Sequence, residues 1–191
     1  MTEQGAHRKA GKLTIAHHHP KRWPSLVAAF LLIILLGVQH QASHQVVSGI
    51  VEKVSDGDTL TVLTANGTKL KVRLHGIDAP EAPHGRLPGQ PFGEASQRAL
   101  EQKVLRQQVT LEILSVDRYR RLVCLVRSGP RSMNEAMIEE GWAWAYRKYL
   151  KGSEAQEFLI LEQDARRRGV GLWQDSNPQP PWEFRKAGRT N

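Results

Sequence analysis

The sequence predicts a mainly β fold of the α+β class, a five-stranded Greek-key barrel of the OB type with three helices packed against it. Two observations lead to this prediction. Short β-like runs between residues 46 and 127 follow the order of a three-strand meander, a helix and two further strands. The residues after them have helical spacing between signals that start and end helices.

The predicted meander has its strands at residues 46–54, 58–64 and 69–74. The sequence Ala65-Asn66-Gly67 is typical of a tight hairpin between the second and third strands. In the third run basic and apolar residues alternate, so the two kinds are expected on opposite faces of the strand. A loop rich in proline and glycine, residues 76–91, then leads to the first helix.

The predicted helices are residues 92–106, 132–141 and 153–168, and the last two strands are residues 109–116 and 122–127. The second and third helices each begin at a capping box, which opens at Ser132 and at Ser153. Gly141 and Gly169 are expected to end them. The tail, residues 175–191, contains three prolines and is expected to be extended and loosely held.

Length and composition limit the class of protein. The chain has 191 residues, which is enough for one ordinary domain with tails. Half of its formal net charge of +8 lies in the basic head, residues 1–25, which we expect to be disordered. The folded part is only mildly basic, so charge alone is weak evidence for a nucleic-acid partner. The single cysteine, Cys124, excludes an intramolecular disulfide and is expected in the core.

An apolar run of 13 residues, 26–38, follows the basic head, and no charged residue comes after it until Glu52. This asymmetry predicts a cytoplasmic N-terminus and a domain on the other side of the membrane. The run is short for a full span and lacks a clean cleavage site behind it. We therefore favour an uncleaved signal-anchor over residues 26–43, with a cleaved signal peptide as the alternative. The domain, residues 44–174, is then periplasmic or extracellular, and either anchored or secreted.

Polar clusters fall where the predicted strands end: Asp56-Gly57-Asp58-Thr59, Arg73, Asp78-Ala79-Pro80-Glu81 and Arg118–Arg121. Each alone is typical of a turn or a solvated loop. Their order, with the sequences PFGEAS, NEAMIEEGWA and GLW, resembles the staphylococcal nuclease family from about residue 46 to residue 173. The resemblance implies an OB barrel with three helices and a calcium-dependent phosphodiesterase that cleaves DNA and RNA. We expect it to act as a monomer.

The resemblance also implies which residues hold the cation. Asp58 and Asp78 would supply carboxylates to Ca²⁺, and Ala79 a backbone carbonyl, since a hard cation prefers oxygen ligands. Glu81 stands at the family's glutamate position, where it would orient or deprotonate the attacking water.

Two arginines, Arg73 and Arg121, match those that grip the phosphate in this family. A guanidinium offers two parallel donors to phosphate oxygens and stays charged at any working pH. Arg120 stands where the family usually has Gly. If that position needs a positive φ, Arg120 is strained by about 1 kcal/mol, and its charge would lie beside the phosphate.

Tyrosines at the family's nucleotide-contacting positions are Tyr119 and, after Gly-x-Ala, Tyr146 or Tyr149. The alternative is that they are rim aromatics.

Two other functions remain open: a non-catalytic OB module that binds nucleic acid or protein at the cell envelope, and an envelope scaffold. A module that has lost catalysis is expected to lack at least one of the five groups that would act on the phosphodiester. All five are present, which favours the enzyme: Asp58, Arg73, Asp78, Glu81 and Arg121.

Overall fold

The computed structural model describes residues 44–85 and 88–188. Its strands are β1 (Gln45–Asp56), β2 (Thr59–Thr64), β3 (Lys69–Leu74), β4 (Ile77–Asp78), β5 (Gln108–Val116), β6 (Leu122–Ser128), β7 (Arg131–Ser132) and β8 (Trp144–Ala145). Its helices are α1 (Gly93–Val104), α2 (Met133–Glu139), α3 (Gly152–Arg168), a 3₁₀ turn (Gly171–Gln174) and α4 (Pro181–Ala187).

The main sheet has the strand order β3-β2-β1-β5-β6-β7, and adjacent strands in this order are antiparallel. A parallel pairing between β3 and β6, with Val72 opposite Leu122 and Leu74 opposite Cys124, closes this sheet on itself. Within the described ranges, the result is a closed five-stranded mixed barrel with β7 as an addition to the edge of β6. The predicted OB-type barrel is confirmed.

The β2–β3 hairpin forms as the Asn-Gly signal predicts. Gly67 has a φ of +81° and donates its N–H to the carbonyl of Thr64 at 2.9 Å. Glycine adopts this backbone conformation at no steric cost. In β3, Val72 and Leu74 are buried on the inner face of the barrel while Lys69 and Lys71 are exposed, so the alternation predicted for β3 is also confirmed.

The helix boundaries agree with the predictions except at the start of α3. Ser132 caps α2 by accepting the N–H of Glu135, and Gly169 ends α3 with a φ of +61°. The capping box predicted at Ser153 is wrong, because α3 begins one residue earlier and its N-cap is Lys151. The buried side chain of Leu150 fixes the chain just before this start.

The prediction of an extended tail is wrong for part of its length. Residues Pro181–Ala187 form helix α4, with a proline at its first turn, where a missing N–H has no consequence. Trp182 of this helix packs against a second apolar cluster built around Trp144, Leu172 and Trp173. Local sequence did not predict this helix because its packing partners are distant in the chain.

Cys124 lies in the barrel core as predicted, with no exposed surface. Burial raises the pKa of its thiol to about 12, because a thiolate is poorly solvated there. The group is therefore inert at neutral pH.

The predicted head, residues 1–25, and the predicted signal-anchor, residues 26–43, lie outside the described residues. Among the residues that the structure does describe, no helix has the length and apolar content needed to cross a membrane. Contact with a membrane through residues 26–38 stays a prediction.

Candidate active site

A cleft of about 940 Å³ opens at one end of the barrel, between the β2–β3 strand ends, the β5–β6 loop and helix α4. Predicted site residues in its lining are Arg73, Glu81, Tyr119, Arg121, Tyr146 and Tyr149. Asp58 and Asp78 are buried, and both form ion pairs with Arg73. The fold thus brings together groups that the sequence spreads from residue 58 to residue 149.

Asp58 joins the turn before β2 to the loop after β4. One of its carboxylate oxygens accepts the N–H of Ala79 at 2.9 Å. The other accepts the hydroxyl of Thr59 at 2.9 Å and forms an ion pair with Arg73. The preceding residue, Gly57, is needed here because a Cβ would lie 1.8 Å from the hydroxyl of Ser96 in α1.

Asp78 has no exposed surface and lies on the short strand β4, opposite Trp144 of β8. Its Oδ1 accepts a hydrogen bond from Arg73 Nη2 at 2.7 Å. Its Oδ2 accepts one from Arg185 Nη2 at 2.7 Å. Both oxygens of this carboxylate are therefore engaged by guanidinium groups.

Arg73 bridges Asp58 and Asp78 from β3, where it lies opposite Thr59 of β2. Burial opposes its charged form, but the two carboxylates outweigh that effect and raise the pKa of Arg73 above its ordinary value. With only 17% of its side chain exposed, this guanidinium is fixed at the base of the cleft.

Glu81 projects into the cleft from a loop that α1 holds in place. Its backbone carbonyl accepts the N–H of Gln90 at 2.8 Å. A Cβ on Gly93, the first residue of α1, would lie 2.0 Å from that carbonyl, so only glycine allows this approach. The carboxylate of Glu81 accepts a hydrogen bond from Arg185 Nη1 at 2.5 Å.

Asp56 is a further acidic member of the site, to which we assigned no role from the sequence. Its Oδ1 accepts the N–H groups of Gly57 at 2.9 Å and Ala82 at 3.3 Å. Burial, together with the charges of Asp58 and Glu81, raises the pKa of Asp56 to about 8. Its place in the Asp56-Gly57-Asp58-Thr59 cluster was the signal available in the sequence.

Arg121 reaches the site from the start of β6. Its Nη1 donates to the hydroxyl of Thr59 at 3.4 Å, and this hydroxyl in turn donates to Asp58. Arg120, beside it, is exposed and has a φ of +62°. The backbone strain predicted for Arg120 is therefore present.

Aromatic rings and cations line the outer part of the cleft. The guanidinium groups of Arg118 and Arg121 lie over the Tyr119 ring, 4.8 Å and 5.4 Å from its centroid. Tyr146 and Tyr149 meet edge to face at 5.0 Å. Both tyrosines are thus in the cleft, and such platforms suit nucleotide bases.

Helix α4 adds two site residues that our sequence predictions missed, Trp182 and Arg185. The Trp182 ring stacks parallel on that of Tyr146, with a centroid distance of 5.4 Å and an interplanar angle of 6°. A signal was present in the sequence. Pro181 is a helix-start residue, and positions 182 and 185 then lie on one face of the helix.

The acidic groups of this site are oxygen donors, the kind of ligand that a hard divalent cation prefers. Its acidic groups in the described residues are Asp56, Asp58, Asp78 and Glu81, and the guanidinium groups of Arg73 and Arg185 face them. Below about pH 8, where Asp56 is protonated, the other three carboxylates face two guanidinium groups, so one negative charge is left. No set of three or more acidic or histidine side chains in the described part of the chain surrounds one point as metal ligands do. The arginine contacts of Asp58 and Asp78 are consistent with this finding.

Known proteins are similar to this chain in sequence. Residues 71–175 match the family of staphylococcal nuclease homologues. The chain is 36% identical over 160 residues to an uncharacterized endonuclease of Haemophilus influenzae, which covers 84% of this chain and 85% of that protein. It is 39% identical over 150 residues to a micrococcal nuclease of Shigella flexneri, and this alignment covers 74% of this chain and 82% of that protein.

Two features define the class of protein. The barrel is closed and of the OB type, and carboxylates paired with arginines lie at the end of one cleft. The match over residues 71–175 then gives the family. The chain belongs to the staphylococcal nuclease family, as the sequence motifs predicted.

Proposed function

We propose that this protein is a calcium-dependent nuclease that hydrolyses phosphodiester bonds of DNA and RNA. The observation that carries the proposal is the convergence of Arg73, Glu81 and Arg121 on one cleft, above the buried Asp58 and Asp78. Relatives of this chain that are named as nucleases support it.

Asp58, Asp78 and the carbonyl of Ala79 are the groups that would hold the cation. When bound, Ca²⁺ supplies positive charge beside the scissile phosphate. The chain contributes the rigidity of this site, since Asp58 and Asp78 are both buried and both held by hydrogen bonds. Fixed carboxylates need little reorganisation when a substrate binds.

Glu81 is a carboxylate in the cleft that can accept a proton from water or orient it. Its side chain is 30% exposed, so water can reach it, whereas Asp58 and Asp78 are closed to solvent. A carboxylate that is loop-borne, accessible and adjacent to the phosphate site has the geometry expected of a general base.

Arg73 and Arg121 would bind the non-bridging oxygens of the phosphate. They approach the cleft from β3 and from the start of β6, which the parallel pairing places side by side, with Arg73 opposite Val123. Guanidinium groups fixed on two sides of a phosphate stabilise the charge that builds up on it in the transition state.

The outer cleft would bind the rest of the nucleic acid. Tyr119, Tyr146 and Tyr149 offer ring faces or edges to bases, and Lys148 also lines the cleft. Stacking and backbone charge are tolerant of sequence, so we propose a nuclease with broad sequence range that acts as a monomer.

We further propose that the domain works outside the cytoplasm, anchored by residues 26–43. The charge asymmetry around the apolar run supports this location. Protease added to intact spheroplasts is expected to digest the domain. Protection of an active domain in intact spheroplasts would contradict the orientation, and a shortened soluble form that begins near residue 43 would show a cleaved signal peptide.

The test of the enzyme is incubation of the purified full chain, in non-ionic detergent, with plasmid DNA and with RNA, in millimolar Ca²⁺ or in chelator. Cleavage is expected in Ca²⁺ and not in chelator. If both substrates stay intact at neutral and alkaline pH while the protein still retards them on a gel, the binding module is the better description.

A further inference from the structure

We propose that helix α4 is an internal competitor for the site: Arg185 takes the cation's place on the carboxylates, and Trp182 takes a base's place on Tyr146. The helix must leave before cation and nucleic acid bind together. The inference deepens the proposed function and rests on it for the identity of the two ligands. It makes the C-terminal segment a regulator of the nuclease.

Arg185 makes the contacts that a bound cation would make. Its Nη1 and Nη2 donate to the two oxygens of Asp78 at 3.1 Å and 2.7 Å, and Nη1 also donates to Glu81 at 2.5 Å. Burial opposes the charge, but these carboxylates raise the pKa of Arg185 above its ordinary value. A permanent positive charge therefore lies against the residues proposed to hold and to use Ca²⁺.

The oxygens of Asp78 cannot serve Arg185 and a cation fully at the same time. Each carboxylate oxygen has two lone pairs. Oδ1 accepts from Arg73 and from Arg185, so both of its lone pairs are used, and Oδ2 has one left. Departure of Arg185 frees a lone pair on each oxygen of Asp78 and one on Glu81, and it removes the repulsion between guanidinium and cation.

Trp182 makes the contact that a base would make. Its ring lies parallel to that of Tyr146, whereas Tyr149 meets Tyr146 edge on. A parallel contact covers the ring face, which is the surface a nucleotide base stacks on. Trp182 and Arg185 are three residues apart in one helix and so reach these two subsites from one face.

Helix α4 is short enough to be released. It has seven residues, and Pro181 is its one buried residue in the described structure. A helix of this length is not stable alone, so its order depends on tertiary contacts such as those of Trp182 and Arg185. Segments with little buried surface are the ones that open without unfolding of the whole domain.

The test is calorimetric titration of CaCl₂ into the full chain, stripped of metal and kept in non-ionic detergent, without substrate. Arg185→Ala is expected to bind Ca²⁺ at least about tenfold more tightly than the wild type, because a contacting positive charge is gone. Arg185→Lys keeps the charge but loses the bidentate fork. Its affinity for Ca²⁺ is expected to lie between those of the wild type and Arg185→Ala. Arg167→Ala is the matched control, since it removes the same charge from an exposed position of α3.

A second measurement follows the base subsite. Binding of a single-stranded phosphorothioate oligonucleotide is measured in chelator for Trp182→Ala and for Trp182→Phe. Trp182→Ala is expected to bind several-fold more tightly than the wild type, because the face of Tyr146 is uncovered. Trp182→Phe retains a ring on Tyr146 and is expected to stay near the wild type.

Unchanged or weaker Ca²⁺ binding by folded Arg185→Ala and Arg185→Lys would overturn the inference, as would the absence of saturable Ca²⁺ binding in every variant. Weaker oligonucleotide binding by Trp182→Ala would show that Trp182 belongs to the platform, and would also overturn it. The proposed function is judged separately by cleavage. Tighter Ca²⁺ binding without cleavage supports the inference alone, and Ca²⁺-dependent cleavage without tighter binding supports the function alone.

Discussion

Asp117 holds Arg121 by both its backbone and its side chain. Oδ1 of Asp117 accepts the backbone N–H of Arg121 at 2.9 Å, and Oδ2 accepts a hydrogen bond from Nε at 2.8 Å and forms an ion pair with Nη2 at 2.8 Å. Partial burial opposes ionisation, but the hydrogen bonds and charge of Arg121 outweigh it and lower the pKa of Asp117. Asp117 is therefore ionised at working pH and fixes the direction in which this guanidinium faces the cleft.

The first prediction is that Asp117 acts on catalysis only through Arg121. Arg121→Ala is expected to lower kcat by about 100-fold or more, because it removes a donor to the transition state. Asp117→Asn keeps an oxygen acceptor and loses the charge, so a smaller loss, of about tenfold, is expected.

The double variant decides between positioning and an independent role. If Asp117 only positions Arg121, Asp117→Asn combined with Arg121→Ala has the kcat of Arg121→Ala alone. Losses that multiply would show that Asp117 contributes by another route. Near-normal turnover in Arg121→Ala itself would show that the neighbouring Arg120 binds the phosphate instead.

The second prediction concerns Glu81. Glu81→Gln is expected to lower kcat by about 100-fold or more, because an amide cannot take a proton from water. The acidic limb of the pH dependence of kcat separates the two roles of Glu81. Loss of the ionisation that governs the acidic limb of kcat indicates a general base, whereas an unchanged pH profile with a reduced rate indicates that Glu81 orients the water.

The third prediction concerns the strained backbone of Arg120. Glycine adopts its φ of +62° freely, so Arg120→Gly is expected to raise the free energy of unfolding by about 1 kcal/mol. Arg118→Gly removes the same charge from the same loop, where φ is not positive, and is expected to give no gain. Urea unfolding of both variants checks this, and equal effects would show that charge, not strain, is responsible.

The fourth prediction is a pH dependence of stability in the metal-free protein. The pKa of Asp56 rises from 3.8 to about 8 on folding, so the folded state binds this proton more tightly than the unfolded state. The stabilisation is complete below about pH 4 and is lost as the pH rises toward 8. Asp56→Asn stays neutral, so the difference in unfolding free energy between wild type and variant, measured in chelator, is expected to change across this window. A constant difference would contradict the prediction.

The parts of the fold that depend on neighbouring residues could be predicted from the sequence. The hairpin at Asn66-Gly67 and the cap at Ser132 each follow from a few adjacent residues whose preferred conformations agree with the fold. The alternation in β3 likewise fixed which side of that strand carries Arg73.

The parts that depend on distant contacts could not be predicted in this way. Helix α4 is too short to form by local preference, and it is held by Tyr146, Asp78 and the Trp144 cluster. The start of α3 is set by the packing of Leu150 rather than by the hydroxyl of Ser153. The sequence motifs predicted site residues such as Arg73 and Glu81, whereas the contact of Arg185 with Asp78 depends on the tertiary structure and not on the helix-start signal at Pro181.

The parallel pairing of β3 with β6 has a consequence for biosynthesis. Val72 and Leu122 belong to segments that the chain separates by β5 and helix α1, so this pairing requires a long loop to close and is slow to form. Arg73 and Arg121 lie on these two segments and come together only when it forms. Under the proposed function, a newly made chain therefore carries all its acting residues before it has a site that can cleave nucleic acid, and activity begins only when the barrel closes.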